Sequence, residues 1–278
     1  MNKSIIYFIL LAVMTFMACD PVVDRETISG AITVDQLDVS ATLVTVDGKR
    51  ANKVIVVNHS PVLSNWECGV LSSSKQTDTV LLFKQGLNEI EFTGLNADGT
   101  KITKTLTVDV EEMSFSVPPE YAMLFGEGEK EWTWKSDLSW GLAGYLGTVE
   151  PGWWWQPGSE RGEQDAPGET IGASLVFSIK KAALTKLRNN GTEETGRFTL
   201  DMTKIKLMED EKTVWAKGEL NTIGTTVLCP YFLNSDPIEM VSTYDIIKLT
   251  EDELILAYSP AGTKAWGDCY FWVFVPKK

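Results

Sequence analysis

Apolar and polar residues alternate along most of this chain with a period of two, not the 3.6 of a helix. Between Gly30 and about Val110 the runs Ala41 to Val46 (ATLVTV), Lys53 to Val57 (KVIVV), Thr79 to Phe83 (TVLLF), Asn88 to Phe92 (NEIEF) and Ile102 to Val110 (ITKTLTVDV) are β-branched or alternating. Such runs are the mark of half-buried strands. Asp47-Gly48, Gln85-Gly86 and Asp98-Gly99 punctuate them as turns, because glycine and its acidic or amide neighbours accept tight backbone reversals. Short strands with turns at this spacing predict a small antiparallel sandwich over residues 30–110.

The tandem prolines Pro118-Pro119 lie within residues 111–126 (EEMSFSVPPEYAMLFG) and predict a linker, since proline stiffens a segment and ends a sheet. Strand patterns return over residues 127–278. Trp132-Thr133-Trp134, Ala173 to Ile179, Gly196 to Met202, Val214 to Leu220, Thr225 to Phe232, Tyr244 to Leu249, Glu253 to Tyr258 and Cys269 to Val275 all read as β. Asn189-Asn190-Gly191 and Thr250-Glu251-Asp252 supply hairpin turns. Only Ala182 to Arg188 suggests a helical turn. About eight strands are enough for a closed antiparallel barrel or a jelly-roll-like sandwich. The expectation is an all-β chain with a β-sandwich followed by a second, barrel- or sandwich-like domain.

The first residues follow another rule. Lys3 precedes an uninterrupted apolar or neutral run, Ile5 to Met17, too short to span a bilayer and suited to the apolar region of a signal peptide. Phe16-Met17-Ala18-Cys19 resembles a bacterial lipoprotein lipobox. The resemblance implies a signal peptide over 1–18, cleavage before Cys19, lipidation of Cys19 and a tether over 19–29. Acyl chains hold a protein to a membrane by about 0.8 kcal/mol per buried methylene.

Charge and composition narrow the function. With 38 acids against 25 bases, the net charge of −13 argues against nucleic acid, which needs clustered Lys and Arg. His59 is the chain's one histidine, which removes most zinc and His-based acid–base chemistry. Beyond Cys19, the cysteines are Cys68, Cys229 and Cys269. Cys229 and Cys269 are read either as a disulfide pair or as two buried thiols, and Cys68 as core. The acids of Glu163-Gln164-Asp165-Ala166-Pro167-Gly168-Glu169 read as a solvated loop, since Pro167-Gly168 breaks the register that a pair of catalytic carboxylates on one strand would need. With no phosphate-binding, nucleophile-elbow or metal spacing, the expectation is a protein that is not an enzyme and has no cofactor, metal or catalytic residue.

The strongest chemical signal is aromatic. Trp132, Trp134, Trp140, Trp153, Trp154 and Trp155 place six of the ten tryptophans in one stretch with Tyr145, amid Gly141, Gly144, Gly147, Gly152 and Gly158. An indole is a flat, weakly hydrated surface on which the C–H face of a sugar can stack, with side chains such as Gln156 fixing the hydroxyls. Trp140, Tyr145, Trp153, Trp154, Trp155 and Gln156 are therefore the candidate ligand-binding residues. The competing reading is that the indoles plug the barrel end and bind nothing. In an extended segment Trp153 and Trp155 share one face and Trp154 takes the other, so at least one indole is expected to be buried.

Two family resemblances follow. Phe83-Lys84-Gln85-Gly86-Leu87-Asn88-Glu89-Ile90-Glu91-Phe92, then Asn96-Ala97-Asp98-Gly99, with Trp66-Glu67-Cys68-Gly69 upstream, resembles a PKD (polycystic-kidney-disease-type) immunoglobulin-like domain. Trp132-Thr133-Trp134 and the closing Tyr244-Asp245-Ile246-Ile247-Lys248-Leu249-Thr250-Glu251-Asp252-Glu253-Leu254-Ile255-Leu256 hairpin resemble the lipocalin-like domains of exported bacterial lipoproteins. With the lipobox they resemble surface lipoproteins of Gram-negative bacteria that handle complex glycans, which implies an outer-membrane setting exposed at the cell surface; the tryptophan cluster adds the expectation that the protein binds a glycan. The alternatives are an assembly protein with an outer-membrane protein partner and a carrier of a small apolar ligand.

Overall fold

The computed structural model describes residues 30–136 and 139–278; the signal segment and Cys19 lie outside the described residues. The chain is all-β, with two sheets over its first part and a closed barrel over its second.

The first part has seven strands: β1 (Val39–Val46), β2 (Lys49–Asn58), β3 (Leu63–Cys68), β4 (Leu71–Ser73), β5 (Thr77–Leu81), β6 (Gly86–Leu95) and β7 (Lys101–Val110). They form sheets β1-β2-β5 and β4-β3-β6-β7. The alternation buries Val54 and Val56 of one sheet against Trp66, Ile90, Phe92 and Val108 of the other, and Trp66 packs on Phe92 with ring centroids 4.5 Å apart. The period-two pattern thus builds a sandwich core. β3 and β4 were not anticipated, because polar Ser64, Asn65 and Glu67 interrupt the apolar pattern around Trp66.

The segment anticipated as a linker is bolted down. The buried Asn52 donates Nδ2 to the Phe115 carbonyl at 2.9 Å, and Phe115 N returns a 2.8 Å bond to Asn52 Oδ1. Helix α1 (Pro119–Phe125) follows, with proline in its first turn, where a missing N–H costs nothing.

The second part contains β8 (Glu129–Trp134), β9 (Trp140–Gly144), helix α2 (Gly158–Asp165), β10 (Ser174–Ser178), β11 (Ala183–Leu187), β12 (Glu193–Asp201), β13 (Lys206–Leu207), β14 (Val214–Ala216), β15 (Gly218–Ile223), β16 (Tyr231–Phe232), β17 (Glu239–Met240), β18 (Thr243–Leu249), β19 (Leu254–Tyr258) and β20 (Asp268–Pro276). The antiparallel ring β8-β10-β11-β12-β15-β18-β19-β20 closes because β20 pairs with both β19 and β8. The barrel is compatible with a lipocalin-like domain. Closure removes the open edges of a sheet. The first barrel strand is split: Phe274 pairs with Trp134 and Trp272 with Trp140, so β9 continues β8 after an insertion.

Trp132, Trp134, Trp140, Phe177, Phe198, Tyr244, Tyr270, Trp272 and Phe274 fill the barrel interior. Outside the wall, Trp215, Ile247, Ile255, Phe271 and Val273 form a second layer, covered partly by the β13–β14 flap.

Two segments differ from their sequence pattern. Ala182 to Arg188 forms a 3-10 turn and β11, not a helical turn; its inward positions include the buried Lys186, which masks the apolar alternation. Thr225 to Phe232 forms a strand only at its last two residues. Its buried Val227, Leu228 and Cys229 lie in an irregular segment, and a buried apolar run does not by itself distinguish strand from coil.

Strand direction defines two barrel ends. One carries the β10–β11 and β18–β19 hairpins and is closed by α1, whose Leu124 carbonyl accepts a 2.8 Å bond from Trp132 Nε1. The sandwich docks on this side. Phe83 meets Tyr121 edge-on at 4.6 Å, Arg197 grips Glu67 at 2.8 and 3.3 Å, and Lys181 pairs with Glu91 at 2.6 Å. The far end carries the β11–β12 and β19–β20 connections and the long segments after β9 and β15.

Candidate functional site

The candidate residues gather around β9 at the far end. β9 reads Trp-Gly-Leu-Ala-Gly, a composition poor for an isolated strand. Each glycine has a spatial cause. A Cβ on Gly141 would stand 2.4 Å from the Trp155 carbonyl oxygen, so its absence lets another backbone close on the strand edge. Leu142 N donates to Trp155 O at 2.8 Å and Trp154 N to Leu142 O at 2.9 Å, which adds the Trp153–Gln156 segment along β9.

Gly144 makes room for side chains. A Cβ there would meet Trp266 at 2.9 Å and Trp154 at 3.0 Å, and a Cβ on Gly147 would stand 2.5 Å from the Trp266 ring. Two indoles from distant parts of the chain therefore lie over one glycine-lined surface. Trp266 is fixed from both sides: its backbone N donates to Tyr145 O at 2.7 Å, and its Nε1 donates to Glu209 Oε2 at 3.1 Å. Its φ of 64° places a bulky residue in the left-handed region, at a cost of about 1–2 kcal/mol.

The six candidates separate by depth. Trp140, anticipated at the contact surface, is fully buried in the barrel interior, its ring centroid 5.9 Å from that of Tyr270. Tyr145 is half-buried in the outer layer, edge-on to Trp215 at 5.1 Å, and Trp153 packs into the same layer. Trp154 and Trp155 are 50% and 45% exposed, and Gln156 is exposed beside them. Trp266, not among the sequence candidates, is 54% exposed. Its only sequence signal is an isolated tryptophan before a glycine in the turn entering the last strand.

The other chemistry is structural. Glu163 accepts from Gly168 N at 2.8 Å and Thr170 Oγ1 at 3.0 Å within the turn after α2. Glu169, anticipated in a solvated loop, is instead buried and paired with Lys186 at 2.8 Å and Arg188 at 2.9 Å. No disulfide joins Cys229 and Cys269. The first lies in the interior and the second in the outer layer, on opposite sides of the barrel wall. Burial lifts both thiols well above their ordinary value and pushes Cys68 up to about 12, which leaves them unreactive. Among the described residues no group of His, Cys, Asp or Glu is arranged to hold a metal ion.

No family model matches the chain, and no curated protein matches it.

Proposed function

We propose that this chain is a lipid-anchored cell-envelope protein whose barrel binds a glycan, without catalysis, through Trp154, Trp155 and Trp266. The observation that carries the reading is the set of half-exposed indoles at one barrel end, two of them seated over Gly144. Large exposed aromatics cost solvation unless something covers them, and indole faces suit the C–H faces of sugar rings. Gln156 is exposed nearby to bond ring hydroxyls. The lipobox-like Cys19 and the PKD-like sandwich fit a surface lipoprotein in which the sandwich serves as spacer.

Electrophoresis through gels cast with single polysaccharides tests the binding. The intact protein is expected to be retarded by at least one polysaccharide, and Trp154→Ala and Trp266→Ala to migrate freely while keeping the parent Tm. Retardation unchanged in both variants would contradict the reading. For the anchor, Cys19→Ser is expected to move the protein from the membrane to the soluble fraction, checked by fractionation and acyl-chain labelling.

A further inference from the structure

The same barrel end holds a second feature, a polar cavity of about 460 Å³ on the side of β11, β12, β15 and β18. Its volume falls in the range of small-molecule sites, about 300–1,000 Å³. Glu169, Lys186, Arg188, Glu194, Thr225 and Tyr231 line it.

The charges at its floor are balanced. Lys186, 2% exposed, donates to Glu169 Oε1 at 2.8 Å and to Thr226 Oγ1 at 2.7 Å. Arg188 donates Nε and Nη2 to the same Glu169 oxygen at 3.1 and 2.9 Å, and Nη2 to Glu194 Oε2 at 2.7 Å. Two cations thus meet two carboxylates. Glu169 Oε2 accepts from Cys229 N at 2.9 Å, so that carboxylate has little left to offer. The outer groups have more. Arg188 retains Nη1 and Glu194 retains Oε1. Thr225, 5% exposed, lies beside Glu194 with its Oγ1 within reach of that carboxyl but not in good hydrogen-bond geometry.

A net charge entering this balanced network would have to be desolvated without a spare counter-charge. A neutral ligand with adjacent donors and acceptors meets no such cost. Neighbouring hydroxyls of a sugar suit the free groups, one donating to Glu194 Oε1 while the other accepts from Arg188 Nη1. Tyr231 and Met240 line the opening and offer apolar surface to ring C–H groups.

We propose that this cavity is a second carbohydrate subsite that takes one neutral pyranose unit. It deepens the function proposed above and rests on that reading for its ligand class. β11, β12 and β15 stand across the barrel ring from β9 and β20, so a glycan spanning both would gain from the effective concentration of the second contact.

The test uses free glucose, galactose, mannose and N-acetylglucosamine, with glucuronate as the charged comparison, and reads chemical shifts of labelled protein by NMR. At least one neutral sugar is expected to shift resonances of Thr222 to Thr226 saturably, and glucuronate not to. Glu194→Gln and Tyr231→Ala, with Tm measured in each, are expected to weaken that response about tenfold or more, and Trp154→Ala to leave it intact. Polysaccharide binding that needs Trp154 but never perturbs Thr222 to Thr226 would overturn the subsite and spare the indole surface. Neutral-sugar shifts at the cavity with no polysaccharide binding would support the subsite and count against the indoles. No shift at the cavity with any of the sugars, or a Glu194→Gln variant that loses Tm with sugar response unchanged, would overturn the subsite.

Discussion

At the sandwich-side end of the barrel, Leu124 and Phe125 of α1 close the mouth, Tyr121 takes Phe83 from the sandwich, and the aromatic surface is covered. At the far end, Trp154, Trp155 and Trp266 remain about half exposed, over glycines whose lack of a side chain makes their seating fit. Large aromatic side chains are thus consumed by packing at one end, Trp132 among them, and presented to solvent at the other. Tryptophan content alone therefore does not locate a site; its burial does. The contrast also separates stability from binding, and substitutions can test it.

The largest effect is expected in the interior. Trp272 is fully buried and donates Nε1 to Cys229 O at 3.0 Å, so Trp272→Ala is expected to cost about 3–5 kcal/mol, measured by urea unfolding. Trp154→Ala, by contrast, is expected to stay within about 0.5 kcal/mol of the parent while losing glycan binding. An equal cost for both would erase the distinction between the two kinds of indole.

Next comes the docked end. Phe83→Ala removes an edge-on contact with Tyr121, worth about 0.5–1.5 kcal/mol beyond area burial. It is expected to separate a single calorimetric transition into two, one for the sandwich and one for the barrel. A single undisturbed transition would mean that the remaining contacts, among them Arg197–Glu67, Lys181–Glu91 and Lys180–Glu89, hold the parts together without Phe83.

Much of the fold was legible in the residues because period two was written plainly, as in β6, where Ile90 and Phe92 alternate with exposed or half-buried neighbours. Most of the barrel strands and their hairpins followed the same rule, β11 and the segment Thr225 to Phe232 excepted. What escaped depended on contacts across the chain. Lys186 points inward because Glu169 and Thr226 accept from its ammonium, and both lie far from it in the sequence. Trp266 is isolated in the sequence, yet the β9–β20 ladder brings it over Gly144 and Gly147. Trp153 to Trp155 were conspicuous in the sequence, but their depths were set by where the segment met the β9 edge. Local pattern thus revealed the strands, while the membership of the site required the register between them.

A finer perturbation of the far end is Gly144→Ala. The new methyl would meet two indole rings at 2.9 and 3.0 Å, so they must shift. A modest stability cost of about 1 kcal/mol is expected together with a clear loss of polysaccharide retention. Retention at the parent level would show that the seating of these rings is irrelevant to binding.

The smallest effect concerns acid. Burial alone would lift the carboxyls of Glu131, Glu194 and Glu253. Hydrogen bonds from Lys277 and Ser174, from Arg188, and from Lys135 and Lys248, respectively, more than reverse this and hold all three below the ordinary 4.5. A depressed carboxyl stabilises the fold fully above its unfolded value and loses that contribution as pH falls through its folded value. Asp245, lifted by burial, works the other way, but the three lowered carboxyls outnumber it, so barrel stability is expected to decline as pH falls below 4.5. In the sandwich, the depressed Asp78, Asp98 and Glu111 lie at the surface, where solvent screens their interactions. Region-resolved hydrogen exchange should show the barrel opening before the sandwich in acid, and the reverse order would break the comparison.

The most direct measurement follows tryptophan emission while the protein is titrated with a panel of polysaccharides, in the parent chain and in the Trp154→Ala/Trp266→Ala double variant. A saturable blue shift with one polysaccharide, absent from the double variant at unchanged Tm, is the expected result. No shift with any polysaccharide, or the same shift in the double variant, would contradict glycan binding by the exposed indoles.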